Sequence, residues 1–440
     1  MLRPLARTLV LIAIVASRVV AQSPSSVAIP TTAAGTVLHA WLDAFNSADT
    51  ARLAAYARQY DPNYDPKSEL SFRERTGGFQ LLTIERSEPR RVEFIAKERA
   101  GETTAYGLMA LSDTGPLRMK DFRLAALGPN VSAADLHIDA ATRRRVIDGA
   151  IAELDSFYVF PDVARRIADS LQARLGHGAY DAYPNAMSFA FRLNDDVRAI
   201  GHDKHMRVDY SARPLPVQQA SSTPSPDVIA RRQRQMDEMN CGFVKAEQLE
   251  GNIGYLKFNA FADPELCAAT ASAAMSFLGG TRALIIDLRD NGGGSPAMVS
   301  YIASYLFSQR THLNDLWTRR TDKTEEFWTR DSLPGRRFGG EKPVFVLTSA
   351  HTFSGGEEFA YDLKSIKRAT LVGETTGGGA HPVSGHRIDE HFMIGVPFAR
   401  AINPTTHTNW EGTGVEPDVK VPAADALTTA EKLAREKLRS

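Results

Sequence analysis

Cysteine is almost missing: Cys241 and Cys267 are the only two in 440 residues. That is too few for a zinc quartet or a disulfide-dense scaffold. In an oxidising compartment the two could pair, but spacing alone does not say whether they meet, and two buried thiols fit the sequence as well. Net charge is missing too. Lys+Arg and Asp+Glu balance at 52 each, so no global field points to nucleic acid or an anionic membrane, although a local basic groove is still open. The apolar run at the N-terminus, Leu9 to Ala16, is too short to span a bilayer comfortably. No H-E-x-x-H occurs. His381, His386 and His391, five residues apart, would face different sides of alternating strands, so no metal is expected and a loop or substrate contact suits them better. No cofactor is expected either.

What is present supports several folded units. With 43% hydrophobic residues the chain can bury ordinary cores, and its length predicts about two to four domains. Residues 1–21 read as a signal peptide: Arg3 and Arg7, the apolar run, then Val19-Val20-Ala21 before Gln22. Arg18 interrupts the run, which argues against an uncleaved anchor, and no cysteine near the cleavage site suggests a lipoprotein. An exported protein, periplasmic or secreted, follows, with no membrane association after cleavage.

Residues 32–127 read as an α+β unit. Val37, Leu38, Trp41, Leu42 and Phe45 recur at helical spacing, and strand-like runs follow at Phe79–Ile84, Arg91–Lys97, Thr103–Ala110 and Leu117–Leu124. This order weakly resembles nuclear-transport-factor-2-like modules, and no polar cluster in it reads as an active site. Residues 135–211 have a helical pattern that predicts a three-helix bundle. Residues 212–239 read as a linker, with Arg213–Pro226 rich in Pro, Ser and Gln. From 240 to 426 strands alternate with helices: Ile253–Phe258, Ala283–Leu288, Val344–Thr348, Thr370–Val372 and Met393–Val396 are the strand-like runs. That alternation predicts an α/β layer with a largely parallel sheet, whose active site sits beyond the strand ends.

Two loops fall at such ends. Val344–Thr348 leads through Phe353-Ser354-Gly355-Gly356-Glu357 into a helical pattern. A serine there has free helix N–H groups and the positive end of the helix dipole beside it, features that stabilise an oxyanion. Ser354-x-x-Glu357 is also the capping box of an ordinary helix. The G-x-S-x-G elbow fits only in part, because Thr352 replaces its first glycine. The second loop runs from Leu284–Leu288 into Asn291-Gly292-Gly293-Gly294, with Ser295 as cap and Pro296 at the first helical position. It lacks the lysine of a phosphate loop, but its uncovered N–H groups could approach a substrate or an anion.

Leu284–Gly294, Thr348–Glu357 and Asn409–Val421 together resemble the C-terminal-processing (tail-specific) serine peptidases, peptidase family 41. The resemblance runs to the branch containing interphotoreceptor-retinoid-binding-protein repeats and the tricorn protease core. Asn240-Cys241-Gly242-Phe243, Gly251–Leu256 and Gly373–His381 share it, and it spans roughly Asp135 to Ala426. It implies a ClpP/crotonase-like α/β serine peptidase domain, preceded here by the helical bundle and the α+β unit. It also implies Ser354 as nucleophile, with oxyanion donors at Gly355 and Gly293 and support from Gly292. Many tail-specific members use a lysine in the glycine loop after the serine, yet Gly377-Gly378-Gly379 holds none. Lys364, about 15 Å of helix axis beyond Ser354, is too far to serve. The branch histidine matches His205, and an imidazole is the side chain suited to proton transfer near neutral pH. Lys204 stands where the tricorn core has serine, which leaves the orienting group open. Glu411 is the first choice of acid and Glu416 the second, with Asp418 bracing the turn and His381 a further supporting residue. The linker leaves no room for a PDZ-like module. The implied function is an exported serine endopeptidase acting on peptide or protein. A non-catalytic binder of apolar ligands and an esterase-type acyl hydrolase are the alternatives.

Overall fold

The computed structural model describes residues 27–61, 66–217 and 225–439. The leader expected at 1–21 lies outside them. Among the described residues no helix is long and apolar enough to cross a membrane. The chain divides into two compact units, one ending at Asp135 and the other starting at Leu136.

The first unit opens with α1 (Ala33–Ser47), α2 (Thr50–Tyr60) and α3 (Pro66–Thr76), followed by β1 (Phe79–Glu88), β2 (Arg91–Glu98), β3 (Thr103–Leu111) and β4 (Met119–Pro129). Thr32 caps α1 by accepting the Gly35 N–H at 3.1 Å. The helical stripe Val37, Leu38, Trp41 and Phe45 is buried, and Trp41 stands edge-on to Phe122 of β4 at 4.9 Å. The four strands form one antiparallel meander in chain order. Their helix-covered face supplies the core residues Val92, Phe94, Ala105 and Met109.

The second unit starts with α4 (Ala140–Phe157), α5 (Pro161–Gly176) and α6 (Ala186–Gly201), then β5 (Arg207–Tyr210) and α7 (Pro226–Glu238). Strands and helices then alternate through β6 (Phe243–Leu249), β7 (Ile253–Phe258), α8 (Pro264–Leu278), β8 (Ala283–Asp287) and α9 (Pro296–Ala303). A hairpin of β9 (His312–Thr318) and β10 (Lys323–Trp328) precedes β11 (Val344–Thr348), α10 (Gly355–Ser365) and β12 (Thr370–Gly373). The chain ends with β13 (Val383–Arg387), β14 (Phe392–Pro397), β15 (Ala399–Ile402), β16 (Val419–Lys420) and α11 (Ala426–Lys437).

The central sheet has the order β16-β12-β11-β8-β7-β6, parallel except for the antiparallel edge strand β6. Helices cover both faces, as a parallel sheet requires. On one side α8, α9 and α10 pack over Leu284, Ile286, Val344 and Val346. On the other, Ala426, Ala430 and Ala434 of α11 lie on Ile285, Phe345 and Leu347. Alternate residues of each strand face opposite sides, which is why β8 and β11 read as unbroken apolar runs.

Three expectations need correction. Met393–Val396 does not join the parallel sheet. It lies in β14, the middle of a separate antiparallel sheet β13-β14-β5, on which α4, α5 and α6 pack through Leu154, Leu171, Phe189, Phe392 and Ile394. The stretch expected as linker contains α7, capped by Ser225. The helical pattern after the triple glycine runs Pro296–Phe307 in the sequence, but α9 stops at Ala303 and a 3-10 turn takes Ser304–Leu306. The cysteine question is also resolved: Cys241 and Cys267 form a disulfide between the turn before β6 and α8.

Helix α10 carries two acids inward, Glu358 and Asp362, one turn apart and buried with no cationic partner among the described residues. Burial pushes Glu358 up to about 7, only partly offset by the neighbouring Asn314 amide. Burial and then the Glu358 charge push Asp362 well above its ordinary value. The folded state therefore holds protons that the unfolded chain releases above its ordinary carboxyl range. The stability from this pair is complete at low pH and is lost as pH rises from about 4.5 through about 7. Glu358→Gln, which mimics the protonated acid, should gain on the wild type by roughly 5 °C in Tm between pH 5 and pH 8. Parallel melting curves across that range would reveal the role to be absent.

Candidate active site

Ser354 sits at the junction of β11 and α10 with φ 53° and ψ −121°, a backbone region that side-chain-bearing residues rarely adopt and that recurs at active sites. The turn is held from below. The buried Glu357 carboxylate accepts the Ser354 N–H at 2.9 Å, the Thr376 hydroxyl at 2.5 Å, and the N–H groups of Gly378 and Gly379 at 2.6 and 2.8 Å. Burial raises the Glu357 pKa, and those four donors work against the rise. Half of the capping box is thus present. Its acid also ties the serine turn to the glycine loop after β12.

The triple-glycine turn lies directly against the serine. A Cβ on Gly293 would fall 2.6 Å from the Gly355 nitrogen and 2.7 Å from Ser354 Cβ. Gly293 is nevertheless corrected as an oxyanion donor, because its N–H is given to Asn291 Oδ1 at 2.9 Å. The next residue is better placed. Phe261 donates to the Gly293 carbonyl and accepts from Ser295, so the Gly294 N–H turns away from that strand. A Cβ on Gly355 would stand 3.0 Å from the Gly294 nitrogen. Gly292 is exposed and donates to the Asn259 carbonyl at 3.1 Å. Ser295 holds the cap position of α9 without a side-chain capping bond.

His205 arrives from α6 and β5. α6 ends at His202 in the left-handed region. Asn194 then grips Val208 through both backbone groups, at 2.6 and 2.9 Å, and Arg198 holds the Met206 carbonyl at 2.9 Å. These contacts fix the turn Asp203-Lys204-His205. The His205 ring lies over Phe353, centroids 4.7 Å apart, one residue from Ser354. Only glycine fits beside it, since a Cβ on Gly379 would reach within 2.6 Å of the ring. Both ring nitrogens are buried and without a hydrogen-bond partner among the described residues.

Two carboxylates and a second imidazole stand beside this ring. Asp203, absent from the candidates drawn from sequence, is 1% exposed and lies 3.7 Å from His205 Nδ1. Its other oxygen accepts from His381 Nδ1 at 2.7 Å. Burial opposes the Asp203 charge, but the nearby His205 ring and hydrogen bonds from His381 and the His205 backbone N–H outweigh it and hold the pKa at about 2. Glu411 accepts the Ala380 N–H at 2.5 Å and lies 3.3 Å from His381 Nδ1. Burial, then repulsion from Asp203, raises the Glu411 pKa. Tyr158 is pushed up by burial and by these same two charges, and stays neutral. Donor atoms of Asp203, His205 and Glu411 lie within 4.8 Å of one another, so the residues able to ligate a cation are the same ones able to pass a proton.

The other candidates lie elsewhere. Lys204 donates to the Gly377 carbonyl. Glu416 is exposed and pairs with Lys420. Asp418 braces β12 by accepting the Leu371 N–H at 2.8 Å. His386 binds Glu153 and His391 the Ser211 carbonyl, so of the three histidines only His381 enters the cluster. The signal for Asp203 was its place two residues before His205, where a carboxylate can reach back to the histidine backbone, as it does at 2.9 Å.

A serine at a strained strand–helix turn, a glycine turn against it and a histidine–carboxylate cluster beside it define a hydrolase-type site on an α/β sheet. Residues 252–421 match the model of peptidase family S41, and the chain carries a domain of that family. The match includes Ser354, His381 and Glu411 but not Asp203 or His205. The chain is 29% identical over 180 residues to the chloroplastic carboxyl-terminal-processing peptidase 2 of Arabidopsis thaliana, covering 39% of this chain and 32% of that protein. It is 26% identical over 200 residues to the tricorn protease of Thermoplasma volcanium, covering 43% and 17%. The chain thus spans about a third of the first relative and less of the second. The crystal structure of the tricorn protease is similar over 82% of this chain and 47% of that one, with a TM-score of 0.45 and 13% identity.

Proposed function

We propose that this chain is an exported serine endopeptidase that cleaves peptide bonds through an acyl-enzyme at Ser354. The observation that carries the reading is the strained Ser354 turn packed against the triple glycine with the unpaired His205 ring one residue away. A capping serine needs neither the strain nor the histidine. His205 takes the hydroxyl proton as Ser354 Oγ attacks the carbonyl carbon. The oxyanion is held by the N–H groups of Gly355 and Gly294, each worth about 3 kcal/mol in such sites. His205 then protonates the departing amine, and water attacks the ester with the same base. Glu411, His381 and Asp203 surround the base. Export is supported by the leader-like N-terminus and the Cys241–Cys267 disulfide, which suits an oxidising compartment. Residues 32–127, a helix-covered meander, fit an accessory module of nuclear-transport-factor-2-like type.

A fluorophosphonate probe should label the wild-type protein at Ser354 and leave Ser354→Ala unlabelled. No labelling of the wild type would remove the catalytic reading and favour an apolar-ligand binder of the same fold. Digestion of unstructured peptides, with mass-spectrometric readout, separates a peptidase from an esterase.

A further inference from the structure

We propose that Asp203, anchored by His381, is the positioning residue that sets the tautomer and orientation of the His205 ring, a role that Glu411 does not fill. The proposal rests on the reading of His205 as base. A serine–histidine pair needs the ring held with its proton on the nitrogen remote from the serine, and a buried carboxylate is the usual means.

Asp203 meets that need on geometry. One oxygen accepts the His205 backbone N–H at 2.9 Å and lies 3.7 Å from His205 Nδ1, so carboxylate and ring share one short turn. A small ring movement closes the remaining gap, and such bonds commonly tighten when substrate arrives. The other oxygen is fixed by His381 Nδ1 at 2.7 Å, and His381 is itself wedged edge-on against Phe160 at 5.2 Å. Asp203 can therefore rotate neither away from the base nor toward solvent.

Glu411 is placed differently. One of its oxygens is taken by Ala380 N–H and faces His381, and the other is buried with no partner among the described residues. It is held to the glycine loop through the Ala380 N–H, and no hydrogen bond ties it to the histidine turn among the described residues. The charge states agree with this division. Asp203 stays ionised, whereas Glu411, desolvated and repelled by Asp203, holds its proton more tightly than an ordinary glutamate. An ionised acid stabilises the imidazolium that forms during attack. The His381 contact also couples the loop after Gly379 to the helical segment that carries the base, positions 178 residues apart.

The test reads the ring itself. In full-length protein with 15N-labelled histidine, the His205 signal is assigned by its loss in His205→Gln, and the neutral tautomer is read from its ring-nitrogen shifts. The wild type should show Nδ1–H. Asp203→Asn should lose that preference, Glu411→Gln should keep it, and His381→Gln should weaken it. Asp203→Asn should also lower kcat by roughly 10²- to 10⁴-fold with KM little changed, and Asp203→Glu should recover part of the loss. Unchanged His205 signals in Asp203→Asn, or a change only in Glu411→Gln, overturn the proposal. The tautomer does not depend on turnover, so a protein that fails to hydrolyse peptide but shows the Asp203-dependent signal would refute the peptidase reading alone.

Discussion

Ser354→Ala and His205→Ala should each lower kcat on a cleavable peptide by about 10⁴- to 10⁶-fold, and the double variant should fall no further. Residues that act as one unit are grossly non-additive: once the hydroxyl has no base, or the base no hydroxyl, the second deletion has nothing left to remove. The packing gives the physical reason. The His205 ring rests on Phe353, the residue before the serine, and its nitrogens have no other hydrogen-bond partner among the described residues. Activity left in both single variants comes from the glycine turns and substrate binding, which neither substitution touches. Steady-state rates on one peptide, with melting curves to confirm folding, make the comparison. A double variant weaker by the product of the single losses would mean that His205 serves some step apart from Ser354. A His205→Ala enzyme within tenfold of wild type would send the search to another base.

Gly293→Ala and Gly292→Ala should differ by about two orders of magnitude in kcat, although they are neighbours and the same substitution. At Gly293 the new methyl would stand 2.6 Å from the Gly355 nitrogen, 2.7 Å from Ser354 Cβ and 2.8 Å from the Phe353 carbonyl, in a backbone with φ +99°. No flexible side chain can yield there, so the serine turn itself must shift, carrying the Gly355 N–H away from the oxyanion position. A displacement of about 1 Å is enough to cost on the order of 10²-fold. At Gly292 a methyl would meet nothing within 4 Å, and the enzyme should keep most of its activity. Equal losses would mean that the loop acts through flexibility rather than through close approach to the serine.

Much of the central layer was legible because burial on both faces leaves a mark in sequence. Leu284–Ile286 and Val344–Leu347 are unbroken apolar runs ending in turn residues, and they are the adjacent parallel strands β8 and β11. Met393–Val396 carries the same mark yet belongs to another sheet. One of its partners is the neighbouring β13, and the other, Arg207–Tyr210, is distant in the chain and too short to announce a strand. The Ser354 turn was readable as a strand-to-helix junction. Asp203 is marked in sequence only by its place two residues before His205, and a lone aspartate in a polar turn otherwise looks like any other. Its meaning comes from His381, 178 positions away. Family resemblance points to Gly293 as donor, and sequence cannot show that Asn291 already accepts its N–H.

By itself the sequence determined the local chemistry: which strand ends carry a hydroxyl, which carry bare N–H groups, and that no lysine stands in the Gly377–Gly379 loop to act as base. These are properties of neighbouring residues, governed by periodicity, capping and backbone freedom. Only the tertiary structure decided which acid faces His205, which glycine N–H is left to give, and that two cysteines 26 residues apart are joined. Those depend on distances of 3 to 4 Å between segments far apart in the chain. Such distances are set by how layers pack, and no local pattern records them.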